Sequence, residues 1–326
     1  MSKALRVSVR VLATVLVAAS LLLTLSTFTQ NKVKKPSIMF IAKSSESSFW
    51  KTAFQGAHAA ANEYNVKLAI RSPQTEDDYI TQNRLISWGV ENGMDTIILS
   101  ACDYDRSVAT VESAIAAGVT VISVDSPISS DKVEMLIGTD NKAAGAQVGA
   151  KLAKLTEMKG IVGVINCEEI GAVGMQREAG LLEELKKYPN MQVADIRYTI
   201  SNIEDPKQKT LEMLAEHPEI NAIATFNEWS TLGVGEAILE LKAKDEQYAV
   251  VGFDTNIKSI EHLESGVLDG LIAQNPFAMG YLGVQQAIGY RKTTKHEPFI
   301  DTGTTVITSE NMYNTENQKL LFPFSG

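Results

Sequence analysis

The feature that most constrains this chain is a regular alternation of short β-branched runs with longer amphipathic stretches, which begins after Pro36 and then starts over. The first run is SIMFIA at 37–42. A helical stretch at 49–64 follows, with Phe54, Ala57, Ala61 and Tyr64 on one face at i, i+3/i+4 spacing. VKLAIR (66–71), a helix over 77–92, TIILS (96–100), a helix over 105–117 and VTVISV (119–124) complete the first series. Asn65, Gly93 and Gly118 stand at the helix-to-strand joints, where a turn residue is needed. The second series has helices over 143–157, 174–187, 205–216, 232–242, 257–265 and 277–290. Its strands are 161–166, 192–198, 222–226, 248–253 and 271–274, followed by a tail strand. Strands alternating with helices of this length are βαβ units, and such crossovers make the sheet parallel. Two like series without a Pro- or Ser-rich linker predict two α/β lobes of similar architecture, joined by short crossover strands.

The length of 326 residues suits two lobes of roughly 100–150 residues each. A net charge of −9 argues against nucleic acid as a partner, which calls for a basic patch or stripe. Cys102 and Cys167 have neither metal-ligand spacing nor a disulfide framework, and the scattered histidines form no zinc signature, so no metal or other cofactor is expected. At the N-terminus, Lys3, Arg6 and Arg10 precede a charge-free stretch at 11–31, and Lys32, Lys34 and Lys35 follow it. Such a run can cross a hydrocarbon core of about 30 Å. It reads as a cleaved signal peptide or an uncleaved anchor. No cysteine for lipid attachment and no convincing small-x-small cleavage site accompany it, so residues 1–35 are expected to tether the chain to a membrane. The balanced flanking charges leave its orientation open.

In open parallel sheets, ligands sit at the carboxyl ends of the strands. Those ends carry Lys43 and the sequence up to Phe49 and Trp50, then Asp125, then Cys167 to Glu169, Asn227 and Glu228, Asp254 and Gln274. Carboxylates and amides can hold several hydroxyls at fixed angles, and aromatic faces pack on the C–H faces of a sugar ring. Singly, a strand-end Asp or Asn can equally be a helix cap. Catalytic signatures are lacking: Gly233-Val234-Gly235 has no third glycine and lies inside a helical stretch, and neither a phosphate-binding loop nor a nucleophile elbow is present. An enzyme is therefore not expected.

Taken in order, IMFIAKSSESSFW, VISVDSP, IGTDNKAAG, REAGL, AIATFNEWSTLGVGEA, VVGFD and LIAQNPFAMGYLGV resemble the ribose-binding type of periplasmic binding protein over residues 36–307. The resemblance implies two Rossmann-like lobes, 36–139 with 275–302 and 140–274 with 303–326, joined by hinge strands near Thr139–Asp140, Gln274 and Gly303. It implies that Phe49 and Trp50 sandwich a sugar and that Asp125, Arg177, Asn227, Asp254 and Gln274 hold its hydroxyls. Lys43, Ser47 and Ser126 depart from the ribose binders' pattern while keeping the site polar, so a pentose, a hexose, a sugar alcohol or a furanosyl signal molecule would each fit. Two partners fit the resemblance. One is the permease of an ABC-type sugar importer. The other is a membrane histidine kinase, with the chain as an anchored sensor. Both place the lobes on the extracytoplasmic face of the membrane.

Overall fold

Runs such as TIIL and AIAT, apolar on both faces, become the interior strands of two six-stranded sheets. In the computed structural model of the protein, the described residues are 14–17, 20, 35–167, 171–242, 247–290 and 296–322. They belong to two compact units, Met1–Pro36 and Ser37–Gly326. In the first, residues 14–17 and 20 are helical; the rest of the expected anchor at 11–31 lies outside the described residues. Among the described residues, no helix is long and apolar enough to cross a membrane.

The first sheet holds β1 (Ser37–Ile41), β2 (Lys67–Arg71), β3 (Thr96–Leu99), β4 (Thr120–Val124), β5 (Leu136–Gly138) and β11 (Phe299–Asp301), in the order β11-β5-β4-β3-β1-β2. The second holds β6 (Ile161–Asn166), β7 (Gln192–Tyr198), β8 (Ala222–Thr225), β9 (Ala249–Phe253), β10 (Gly270–Ala273) and β12 (Thr305–Ile307), in the order β12-β10-β9-β8-β6-β7. Every pairing is parallel except that of β12 with β10. The expected two-lobe α/β fold is therefore present, and the chain passes between sheets after β5, after β10 and between β11 and β12. Asn65 and Gly118 take φ of 54° and 90°, the left-handed turn that the joints before β2 and β4 require.

The helices are α1 (Ser48–Glu63), α2 (Tyr79–Glu91), α3 (Val108–Ala116), α4 (Asn141–Leu155), α5 (Ala172–Leu185), α6 (Glu204–Glu216), α7 (Glu228–Lys242), α8 (Ile257–Glu264), α9 (Pro276–Tyr290) and α10 (Thr315–Leu321). The sequence reading lacked β5, β11 and α10, which are too short to show a period. It also began α7 four residues late. The helix starts at Glu228 because Asn227 Oδ1 accepts from the Ser230 amide at 2.8 Å and caps it. Gly233 and Gly235 sit inside α7 against Pro206 and His262, as helix packing and not as a cofactor loop.

Each lobe is tightened by one close helix pair. A Cβ on Gly280 of α9 would stand 1.8 Å from the Ala53 carbonyl oxygen of α1, and one on Gly145 of α4 would stand 1.9 Å from the Arg177 carbonyl oxygen of α5. The second contact fixes the spacing of α4 and α5 at Arg177. Both clashes are with backbone, which cannot swing aside. Gly280→Ala should therefore destabilise the protein by about 1–3 kcal/mol or more in denaturant unfolding. Gly289→Ala, in the same helix with nothing within 4 Å of its Cβ, should be neutral or stabilising.

Candidate functional site

Strand order reverses between β1 and β3 in one sheet and between β6 and β8 in the other, which opens a crevice at the carboxyl ends of each. The two crevices share one cavity of about 270 Å³. Lys43, Ser47, Phe49, Trp50 and Asp125 line it from the first lobe, and Arg177, Asn227 and Asp254 from the second, with Gln274 at the crossover after β10. The nine residues expected to bind the ligand are thus all in its lining, whereas Ser126 is not, and Glu168 and Glu169 lie outside the described residues.

Asp125 follows β4 and Asp254 follows β9, equivalent strands of the two sheets. Both have left-handed backbones, with φ of 62° and 68°. Non-glycine residues held this way carry local strain, which characteristically collects at functional sites. Neither caps a helix: α8 is capped by Asn256, and no helix follows Asp125 directly. The capping explanation does hold for two other residues. Ser47 Oγ accepts from the Trp50 amide at 3.3 Å, and Asn227 Oδ1 caps α7. The Asn227 backbone N–H in turn donates to Ser230 Oγ at 3.1 Å.

The second lobe's charges are buried and tied together. Arg177, 2% exposed, donates from Nε to Asn141 Oδ1 at 2.9 Å, from Nη1 to the Phe226 carbonyl and from Nη2 to Gln274 Oε1 at 2.8 Å. Its guanidinium lies 4.1 Å from the centre of the Phe253 ring. Gln274 Nε2 donates to Asp254 Oδ1 at 2.7 Å. Burial pushes the Asp254 carboxyl up to about 7, against the opposing pull of the Arg177 cation and the Gln274 hydrogen bond.

Two carboxylates bridge the lobes. Glu228, at the start of α7, accepts from Ser48 N (3.1 Å), Ser48 Oγ (2.7 Å) and Phe49 N (3.1 Å) at the start of α1, and from Asn256 Nδ2 at 2.8 Å. Glu76, in the loop after β2, accepts at one oxygen from both Trp50 Nε1 (3.2 Å) and Trp229 Nε1 (3.3 Å). Phe49 and Trp50 meet edge to face, 4.9 Å apart at 87°. The two rings are perpendicular, whereas the sandwich implied by the resemblance calls for parallel faces.

The cavity also contains Glu76, Glu228, Trp229, Cys167 and the segment 198–201, none of which the sequence reading selected as ligand-binding. Glu228 and Cys167 were visible at strand ends, and Trp229 stands two residues after Asn227. Glu76 follows an edge strand whose end was not searched. Neither cysteine is in a disulfide; Cys102 is buried and Cys167 partly so.

Residues 38–294 match the family model of the periplasmic binding protein domain. The D-ribose/D-allose-binding protein of Pseudomonas aeruginosa is 27% identical over 296 residues, covering 87% of this chain and 92% of its own. The ribose import binding protein of Bacillus subtilis is 27% identical over 248 residues, 73% of this chain and 76% of its own. Among solved structures, a carbohydrate transporter solute-binding protein from Agrobacterium radiobacter in complex with D-arabinose has a TM-score of 0.84 at 28% identity, covering 89% of this chain and 100% of that one.

The raised Asp254 carboxyl makes a stability prediction. Between its ordinary value of 3.8 and about 7 the folded state holds a proton that the unfolded state has lost. Its contribution is therefore fully present below pH 3.8 and is lost as pH rises through about 7. The melting temperature of the wild type minus that of Asp254→Asn, which keeps an acceptor for Gln274, should fall steadily over this window. A difference that stays flat would mean the carboxyl is ionised throughout.

Proposed function

The chain belongs to the family of type I periplasmic sugar-binding proteins, and on that premise we propose that it binds one small sugar-like ring in its cavity and delivers it to the permease of an ABC-type sugar importer. The family's members are substrate-binding, non-catalytic transport components found outside the cytoplasm. The role proposed here is likewise binding without chemistry. The observation that carries the reading is the pair Asp125 and Asp254: carboxylates from equivalent strand ends of two lobes, both in strained backbone, lining one cavity with aromatic side chains. Such carboxylates accept hydroxyl protons, and the aromatic surface takes the C–H faces of a ring. At about 270 Å³ the cavity lies just below the ~300–1,000 Å³ range of drug-sized ligand pockets, which suits a monosaccharide. The names of the relatives point to pentoses and aldohexoses, D-ribose, D-allose and D-arabinose.

The lobes in this proposal are 36–139 with 275–302 and 140–274 with 303–326. Lys43, Ser47, Phe49, Trp50 and Asp125 would meet the ligand from one side and Arg177, Asn227 and Asp254 from the other, with Gln274 at the hinge. Contacts shared in this way favour the closed arrangement over the open one.

A ligand bound only by the native state raises the melting temperature, so at least one of D-ribose, D-allose and D-arabinose should do so for the purified protein. Asp254→Ala and Arg177→Ala should each weaken binding about ten- to a hundredfold in calorimetry, because each leaves buried polar partners unpaired at roughly 1.5–3 kcal/mol. Near wild-type affinity in both variants would mean that the ligand sits elsewhere.

The proposal includes a tether. The charge-free run at 11–31, with no cysteine in or just after it, supports an uncleaved apolar anchor. A tethered receptor meets its permease at high effective concentration, so a weak docking contact suffices. Washed membranes should yield the chain with its original N-terminus, and external protease should digest the lobes in cells of verified integrity. A mature chain beginning near residue 30 in the soluble extracytoplasmic fraction would refute the tether.

A further inference from the structure

The first turn of α7 is fastened to the other lobe twice in succession. Glu228 holds the amides at the start of α1, and the adjacent Trp229 donates its indole N–H to Glu76 at 3.3 Å. The same Glu76 oxygen takes the indole N–H of Trp50 at 3.2 Å. One carboxylate therefore fixes two indoles that line one cavity, one from each lobe. Indole has a single polar atom, its N–H, and that atom is engaged in both rings. What these two residues offer the cavity is rigid apolar surface, in a space of only about 270 Å³. A bulky ring held on its polar edge cannot swing away to admit a larger ligand without breaking its bond to Glu76. A contact of this kind selects by the size of the ring's substituents more than by its hydroxyl pattern.

We infer that Trp229, oriented by Glu76 across the cleft, is a specificity-determining residue that restricts the cavity to small rings with little exocyclic substitution. Glu76 is the positioning residue. The inference rests on the sugar-binding reading and deepens it.

The test is a ratio of affinities, measured by calorimetry on the full chain with D-ribose, a pentose, and D-allose, a hexose with an exocyclic carbon. A purely structural role for Trp229 would weaken both sugars alike and leave the ratio unchanged. Trp229→Ala should shift the ratio at least tenfold toward D-allose. Glu76→Leu should shift it in the same direction, and Glu76→Gln, which retains an acceptor oxygen, should stay within about threefold of wild type. If Trp229→Ala does not fold, Trp229→Phe carries the test: it keeps a ring, loses the N–H and should shift the ratio toward D-allose. An unchanged ratio in the folded variants, with wild-type protein binding either sugar, overturns the inference and leaves the sugar-binding reading intact. Wild-type protein that binds neither these sugars nor any other monosaccharide overturns both.

Discussion

Placing an arginine and an aspartate in the same buried cleft is expensive, because each ion must give up its water for protein partners that fit it. Gln274 supplies a partner to both. Its oxygen accepts from Arg177 and its nitrogen donates to Asp254, so the orientation of the amide is set by the charges on either side of it. A glutamate there could not donate to Asp254, and a lysine could not accept from Arg177. The same oxygen accepts from Thr139 Oγ1 at 2.8 Å, at the point where the chain first leaves the first sheet. Two of the passages between sheets are thereby tied to the charged floor of the cavity. Any movement of one lobe against the other has to be accommodated around this amide.

The opposite side of the cavity is organised by helix termini. The start of α1 exposes backbone amides and a partial positive charge, which would ordinarily be met within the same lobe. Here Ser47 meets one amide and Glu228 of the other lobe meets two more. Asn256, the cap of α8, steadies the Glu228 carboxylate. The cross-lobe contact is therefore a capping interaction shared between lobes, and it exists only where their surfaces approach. Glu228 is 4% exposed, so those donors stand in place of water around its oxygens. Opening the cleft would return the carboxylate and the amides to water, which compensates both and keeps the cost of opening modest.

Much of this was legible in the sequence, for a definite reason. Strand and helix periods survive in runs of four residues or more, and the turn residues Asn65, Gly93 and Gly118 mark the joints, so the two-lobe α/β architecture could be read directly. β5 and β11 have three residues each and no period to detect. The strand-end rule drew Asp125, Asn227, Asp254 and Gln274 to one cavity because parallel sheets aim their carboxyl ends the same way. The rule works within a lobe. Glu76 and Trp229 acquire their meaning from each other across the cleft, at a separation that no local pattern encodes. The sharing of Arg177 among Asn141, Phe226 and Gln274 is likewise invisible until the crossovers are folded.

The two halves repeat a scaffold without repeating its chemistry. β4 and β9 occupy the same place in their sheets, and each ends in an aspartate with a left-handed backbone. Asp125 then accepts from two hydroxyls, Ser126 Oγ at 2.9 Å and Ser100 Oγ at 3.3 Å. Asp254 faces an amide and a cation in a site dry enough to raise its carboxyl to about 7. A polyol hydroxyl is both donor and acceptor, and a ring bears several of them at fixed angles. A carboxyl that titrates near neutrality, as Asp254 does, can both donate and accept. Divergence around an equivalent backbone position therefore widens the hydrogen-bond patterns the cavity can match, while the sheets keep both groups at one cavity.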